Sequence, residues 1–539
     1  MTVAGVEINL RDESSYIPSG ASVFAGIAGY FRKGPLEPTL VTSQSQFLNW
    51  FAPDGKPKIG YAQEYQSALD YLADADALWC VRVANSENPP LYGGITINLP
   101  SAEAVEETGE TTDGYTLLTT GLQDPEDYVF RDNEVILITG CNPGEWNNDV
   151  FVTYTPNEDQ GVVGAYDLKV YKTKTTGAYE LVETHLVSRD TDAVDGYGNN
   201  IYIETVVNDN SNYIHVVDNI TIATNKTVKA LTQQVSLTAG SEGGAVTTAD
   251  YITAIQKLAN PDELPLQLLM DGGVAQAEYA KALLEMAGTS RMGECFCVLT
   301  TPASAETTMN STANIKTYRD SVTGTYSYLG SMYSPHVKIY DRFNDRYQWV
   351  SPDGMIANKI NAAIRDFGYN YPAAGYTRGI LDSALDVKVK FESGDKKMLD
   401  TMQVNPIVND TSRGIVIMGN STLYPTNSDF QDQNNMITAN LQIKPGLRAF
   451  LKDYLFDLND EITRDIIVSK INLFMKDVQS QKGVKEFYTV CNDTNNSAND
   501  VAAGILNIAL YIKFVKSIKF IRTNIIATAQ GLEFSSFMA

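Results

Sequence analysis

The chain has 539 residues, 43% of them hydrophobic and 20% charged, a length that calls for about two to four domains folding without disulfides or metals. Its 41 Lys and Arg against 65 Asp and Glu give a net charge of −24, which weighs against nucleic acid or an anionic membrane as partner, since both require a basic surface. Five scattered cysteines, Cys80, Cys141, Cys295, Cys297 and Cys491, point to reduced thiols and assembly in a cytosol rather than a disulfide framework. The start MTVAGVEINL lacks the basic and apolar regions of a signal peptide, and no run approaches the roughly 18 apolar residues of a spanning helix.

Residues 1–24 read as an arm: a short strand in which Val6, Ile8 and Leu10 alternate with other residues, then charged and small residues and a Pro-Ser-Gly turn. From Phe24 the pattern becomes alternating α/β, with an apolar strand, a turn at Gly34 and Pro35, a helix starting at Thr42 or Ser43, a helix over Tyr61 to Leu72 and a buried strand at ALWCVRVA. The stretch 98–238 differs. It is rich in Thr, Asn, Gly and Tyr, and its short runs EVILITG, DVFVTYT, DLKVYKT, NIYIETVV and YIHVV predict an inserted β-sandwich or barrel. Between residues 101 and 250 stand 25 acidic and 7 basic residues, a balance of −18, against 12 basic and 9 acidic between 441 and 530, a balance of +3. The acidic segment therefore reads as solvent-facing, and the basic end as a surface for an acidic partner.

The α/β pattern resumes with TADYITAIQKLAN, LPLQLLMDGG, AEYAKALLEMAG and CFCVLTTP, so residues 25–97 and 239–400 are expected to form one core domain. VSPDGMIANKINAAIRDFG predicts a strand followed by a helix with Ile356, Ile360, Ala363 and Ile364 on one face. Residues 401–503 continue as a C-terminal α/β part, in which NDEITRDIIVSKINLFMKDVQSQKG is the clearest helix, with Gly483 as its stop. Residues 504–539 read as C-terminal strands, with Leu510, Ile512, Phe514, Ile518 and Phe520 among the apolar residues interleaved with Lys513, Lys516 and Lys519.

The residues offer little to catalysis. There are three histidines, His185, His215 and His336, in no metal-ligand pair, and the zincin, P-loop and nucleophile-elbow motifs are missing from the sequence. Cys295 and Cys297 share one face of a strand, either as metal ligands or as buried small hydrophobes. Asp271 before Gly272 and Gly273 is either a catalytic carboxylate at a strand end or a turn residue. SPDGMIANKI either offers free amides to an anion or caps its helix. Lys470, Lys476 and Lys482, spaced every six residues, are either a solvated surface or contacts to an acidic partner.

Six segments, in order, resemble the tail sheath proteins of contractile bacteriophages and of related contractile injection systems: AGVEINLRDES, VFAGIAGYFRKGPLEPTLVTSQSQF, NPGEWNNDVFVTYT with NDNSNYIHVV, LTAGSEGGAVTTADYITAIQKL, SPHVKIYDRF with VSPDGMIANKINAAIRDFGYNYPAAG, and NPIVNDTSRGIVIMGNSTLY with LNDEITRDIIVSKINLFM. The chain departs from the family in carrying Lys513 to Lys519 where relatives often have Val-Pro-rich turns. The resemblance implies a non-catalytic α/β core of subtilisin-like layout, an outward-facing β-domain and extended strand arms at both ends. It implies a structural protein without cofactor or metal, located in the virion and made in the host cytoplasm, that polymerises into a helical sheath of stacked, hexameric rings and contracts to drive a tube through the host envelope. Its expected partners are further copies, the inner tail tube protein, and baseplate and tail terminator proteins, with no nucleic acid and no direct membrane insertion. Val6, Ile8, Leu10, Leu510, Ile512, Phe514, Ile518 and Phe520 fall on the exchanged strands, and Lys470, Lys476 and Lys482 on the tube-facing side. The alternatives are the sheath of a phage-tail-like bacteriocin or other contractile particle and, in another class, an α/β hydrolase-like enzyme with a glycan-binding β-domain.

Overall fold

The structure is a computed structural model and describes residues 23–57, 63–75, 77–100, 114–157, 164–173, 178–222, 228–307, 310–519 and 523. The chain forms two compact units that divide between Leu455 and Phe456.

The first unit is built on an eight-stranded sheet. The chain enters it as β1 (Ala25–Gly29), followed by β2 (Thr39–Val41), helices α1 (Gln44–Phe51) and α2 (Gln63–Tyr71), and β3 (Leu78–Arg82), which lies between β1 and β2. The helix start expected at Thr42 or Ser43 has Ser43 as its cap, its hydroxyl accepting from the Gln46 amide. An excursion then builds β4 (Gly94–Asn98), β5 (Tyr115–Leu117), β6 (Glu134–Gly140), β7 (Val150–Pro156), β8 (Ala165–Thr173), β9 (Tyr179–Ser188), α3 (Ile203–Asn210), β10 (Ile214–Asp218) and β11 (Leu231–Ser236). The chain returns through α4 (Thr248–Gln256), β12 (Leu268–Met270), α5 (Ala277–Gly288), β13 (Phe296–Thr300), α6 (Ser311–Val322) and β14 (Gly330–Ser334). A small three-stranded sheet of β15 (Val337–Asp341), β16 (Arg346–Val350) and β17 (Asp386–Val387) brackets helix α7 (Asp353–Phe367), and β18 (Val404–Asp410) and β19 (Gly414–Ile417) complete the large sheet. Residues 404–417, in the stretch 401–503 read from sequence as the C-terminal α/β part of the core, belong to this sheet.

In the large sheet β18, β14, β13, β12, β1 and β3 run parallel, flanked by antiparallel β19 and β2. A parallel sheet must be covered on both faces, so its strands are apolar throughout instead of alternating. β13, FCVLT, is buried at every position. Cys297 and Leu299 join α4, α5 and α6 in one apolar cluster on one face, and Cys295 belongs to the same cluster. The two thiols therefore share a face as small core residues, and burial raises both their pKa values. On α7 the predicted stripe of Ile356, Ile360, Ala363 and Ile364 is buried.

The insertion holds two four-stranded antiparallel sheets, β10-β6-β4-β5 and β11-β7-β8-β9. Both contribute to a single apolar core, with Ile95, Ile136 and Ile138 from one and Val152, Leu168 and Val170 from the other, joined by Ile203 and Val207 of α3. No barrel closes among the described residues, because each sheet keeps its own two edges. The outgoing and returning chains pair with each other at the neck, Leu91 with Ser241 and Gly94 with Thr238. Buried cations fasten this neck to the core. Arg82, at the end of β3, donates through Nε to the Phe31 carbonyl at 2.8 Å, through Nη1 to the Pro143 carbonyl at 2.5 Å and through Nη2 to Glu242 at 3.1 Å. Lys33 donates to the carbonyls of Asn49 and Asn212 and lies over the rings of Trp146 and Tyr213.

At the carboxyl ends of the parallel strands, where open α/β sheets commonly hold ligands, the crevice is filled by the chain's own acids. Asp271, fully buried, accepts from the Thr300 amide at 2.7 Å, from the Thr300 hydroxyl and from the Gly273 amide at 3.0 Å. Asp353 accepts from Ser67 Oγ at 2.6 Å and from the Gly272 amide at 2.9 Å. Its carboxylate sits at the start of α7 and ties α2 to the turn after β12, so the helix end needs no external anion. Glu64 accepts from the Tyr251 hydroxyl. Burial lifts the Glu64 carboxyl to about 7, and burial reinforced by Asp353 lifts Asp271 to about 7 as well. The folded state therefore holds these protons more tightly than the unfolded chain, where such carboxyls titrate near about 4. The stability they give is complete in acid and is lost as pH rises through about 7. Urea unfolding is expected to show stability falling between pH 5 and pH 8, with a shallower fall in the Asp271→Asn variant; stability that climbs over this range in the native chain would contradict the assignment.

Candidate assembly surface

The second unit is small and centres on α8 (Glu461–Ser480), which starts at Asp460, whose carboxylate accepts from the Thr463 amide at 2.7 Å. Its buried stripe is Arg464, Ile467, Ile471, Met475 and Val478, the three- and four-residue spacing of one helix face. Gly483 was the expected stop, but Lys482 takes the left-handed conformation that ends the helix, at φ 65°, and the Gly483 amide closes onto the Val478 carbonyl.

After this turn the chain forms β20 (Val484–Val490), and β21 (Ala509–Phe514) returns antiparallel beside it. The terminal strand thus has its first partner within its own chain. Leu510 stands opposite Thr489, Ile512 opposite Phe487 and Phe514 opposite Val484. This face is half-buried, while Tyr488, Tyr511, Glu486 and Lys513 are exposed on the other. Tyr488 and Tyr511 are direct cross-strand neighbours, and Lys513 pairs with Glu486 at 2.5 Å. The loop between the strands carries its own network: Asn495 Nδ2 donates to the Val490 and Asn507 carbonyls, Asn507 donates its amide to Asn496 Oδ1, and Ser497 and Asp500 cap a short turn of helix.

The pair is a two-stranded sheet, and no third strand lies on either outer edge among the described residues. Each edge is a row of backbone donors and acceptors turned outward. Beyond β21, Ile518 is 82% exposed. Val6, Ile8, Leu10 and Phe520 lie outside the described residues. Lys470, Lys476 and Lys482 are all exposed. At about 100° per residue, Lys470 and Lys476 border a line of exposed Ile462, Ile466 and Leu473 on the face of α8 opposite its buried stripe. Sequence reading passed over both β20 and this second apolar line; the β-prone run KEFYTV and the surplus of apolar residues around α8 were the available signals.

The described residues give no catalytic arrangement. His336 is buried against Glu306, which also accepts from Thr301 at 2.7 Å, and Ser334 donates to Glu306 rather than to the imidazole. His185 pairs with Glu183, and His215 lies beside Glu126. Ser351, near the carboxylate-filled crevice, donates to the Thr300 hydroxyl at 3.1 Å. No group of three or more His, Cys, Asp or Glu among the described residues could hold a metal ion, and no described helix is long and apolar enough to cross a membrane.

No family model matches the chain. Its sequence is 26% identical over 312 residues to the tail sheath protein of Vibrio phage KVP40, covering 54% of this chain and 46% of that one. It is 24% identical over 309 residues to the tail sheath protein of Enterobacteria phage T4, covering 54% and 47%. The chain thus spans about half the length of the curated relatives it matches. Among solved structures, the sheath tail protein of Listeria innocua superimposes with a TM-score of 0.56 at 11% identity, over 92% of this chain and 96% of the other. The sheath protein in the contracted helical sheath of the anti-feeding prophage does so with a TM-score of 0.50 at 11% identity, over 98% and 99%. In sequence the chain is a homologue of phage tail sheath proteins, and its fold is that of sheath proteins from contractile tails and injection systems.

Proposed function

We propose that this chain is a structural tail sheath protein that polymerises as a helix around a tail tube and contracts to drive the tube through the host envelope. The observation that carries the reading is the coincidence of its sequence match to named tail sheath proteins with a fold shared, over nearly its whole length, with a sheath protein in a helical assembly. The likeness to the anti-feeding prophage sheath is compatible with a second reading, the sheath of a phage-tail-like bacteriocin or other contractile injection particle. The particle, virion or otherwise, is its proposed location, and a tube, a baseplate and a terminator are its proposed partners.

The bare edges of the β20–β21 hairpin support a mechanism of strand exchange. An added strand forms main-chain hydrogen bonds of about 1 kcal/mol net each, with little dependence on sequence. In this reading Val6, Ile8 and Leu10 of the N-terminal arm and Ile518 and Phe520 beyond β21 complete sheets on adjoining copies, around the hairpin carrying Leu510, Ile512 and Phe514. Such contacts are head-to-tail, so repetition with a rotation and a rise gives a tube rather than a closed dimer. The core of 25–97 and 239–400, read as a non-catalytic relative of the subtilisin layout, supplies the rigid body; its five parallel strands, and a strand-end crevice occupied by its own hydrogen-bonded acids, support that view. The insertion of 98–238 faces outward and the 401–503 part faces the tube, as the charge split suggests. Contraction draws on new contacts between cores, held in reserve by a kinetic barrier.

Removal of Met1 to Ser14 is expected to leave a folded, soluble chain that forms no tubes in negative-stain micrographs; long tubes from the shortened protein would contradict strand exchange. Lys470→Glu together with Lys476→Glu is expected to weaken assembly on tubes at low ionic strength in a pelleting assay, whereas assembly equal to that of the native chain would remove these lysines from the tube-facing side.

A further inference from the structure

Helices α2 and α7, the β15–β16 hairpin and the loop at 381–383 enclose a cavity of about 290 Å³. Its floor is apolar, made by buried Leu69, Ile339, Met355 and Leu381. Its wall is acidic, with Asp70, Asp74, Asp341 and Asp382 against Arg342 and Lys359.

Much of this charge is answered within the chain. Asp382 pairs with Lys359 at 2.6 Å. Asp341 accepts from the amides of Phe343 and Asn344 and from Asn344 Nδ2. Arg342 donates to Gln44 Oε1. Asp70 is different: Oδ1 accepts from Gln66 Nε2 at 2.8 Å, but Oδ2 is buried without a partner. Asn358, 5% exposed, donates through Nδ2 to the carbonyls of Asp70 and Tyr71, which leaves its Oδ1 buried and unpartnered as well. A buried polar atom left unpaired forfeits the hydrogen bond it made with water, and two of them belong to adjoining residues of one cavity wall.

With Asp70 ionised both unmet atoms are acceptors, so an occupant that satisfies them in that state must donate. The acidic wall selects a cation, and the apolar floor selects a carbon stem behind it. Side-chain ammonium and guanidinium groups are the donor-only chemistries that combine these traits. We propose that this cavity is a binding site for an alkylammonium or alkylguanidinium group, its methylenes on Leu69, Ile339, Met355 and Leu381 and its N–H donors directed to Asp70 and Asn358. The group comes either from a free amine or from a Lys or Arg side chain of a second copy, and the site stands whether or not the chain forms a sheath.

The site also dictates a proton linkage. Burial, together with Asp353 on α7, pushes the Asp70 carboxyl up to about 8 against the lowering hydrogen bond from Gln66. The other charged groups lining the cavity with it are Asp74 in the turn after α2, Lys359 on α7, Asp341 and Arg342 on the hairpin, and Asp382 on the loop. A cation favours the ionised carboxylate. Binding below about pH 8 therefore expels a proton from Asp70, and affinity rises about tenfold from pH 7 to pH 9 before levelling.

Titration calorimetry of the full chain with n-butylguanidinium, whose charge is constant in this range, tests the proposal. Heats measured at pH 7 in phosphate and in Tris are expected to differ by the ionisation of close to one proton, with the tenfold rise in affinity at pH 9. Asp70→Asn, its fold checked by circular dichroism, is expected to lose both signatures, and Asp74→Asn to keep them. Should Asp70→Asn fail to fold, the native chain's buffer and pH dependence still decides. Binding with no proton release and no pH dependence, absence of binding, or unchanged linkage in Asp70→Asn overturns the proposal. Sedimentation with and without the probe separates the sources: weakened self-association identifies a side chain of a second copy, and unaltered association a free amine.

Discussion

A sheet of two strands cannot satisfy its own edges. In the β20–β21 hairpin each strand spends one row of backbone groups on its neighbour and turns the other row outward, with no further strand on either side among the described residues. An isolated hairpin is marginal in water, and its stability here rests on the single apolar stripe of α8, from Ile467 to Val478. Exposed Tyr488, Tyr511 and Ile518 add apolar surface that the unit does not cover itself. Residues arranged in this way gain most from another strand, which joins the backbone rows and buries side chains in one step.

The first unit shows the opposite economy. Its parallel strands are covered on both faces, its outermost strands are short and antiparallel, and the crevice at its strand ends is closed by Asp271, which accepts from the Thr300 amide and hydroxyl, and by Asp353, which accepts from the Gly272 amide and Ser67. Where an α/β enzyme would leave room for substrate, this chain places carboxyls that share a dry interior. The neck to the insertion is likewise locked, by the fork of Arg82 across three segments and the cage around Lys33. A body of this kind suits displacement as a rigid unit, and it directs attention to the second unit for the contacts that link copies.

What the sequence disclosed follows the range of the interactions. Local patterns were readable: the all-apolar run of β13, the buried stripe of α7 and the Ser43 start of α1 arise from residues within one or two turns of each other. The strand-forming character of Leu510 to Phe514 was equally plain, but its partner was not, because period two states that a strand has a buried face and says nothing about which strand lies beside it. In the insertion β6, β7, β8 and β10 were legible as strands, but NIYIETVV, read as a strand from its β-branched residues, folds as α3, and the arrangement was illegible, since sandwich and barrel share the same alternation. The acid crevice and the amine-type cavity escaped altogether. They depend on pairs such as Gly272 with Asp353 and Asp70 with Asn358, 81 and 288 residues apart in the chain, brought together by the crossover connections of the sheet.

The central claim is that the edges of the β20–β21 hairpin are completed by strands from other copies. A density map of the assembled polymer, at a resolution that traces individual strands, tests it most directly. The account predicts a sheet of more than two strands around β20 and β21, the added ones continuous with the termini of adjoining molecules. A map in which the hairpin remains two-stranded, with copies held together by side chains alone, would contradict it.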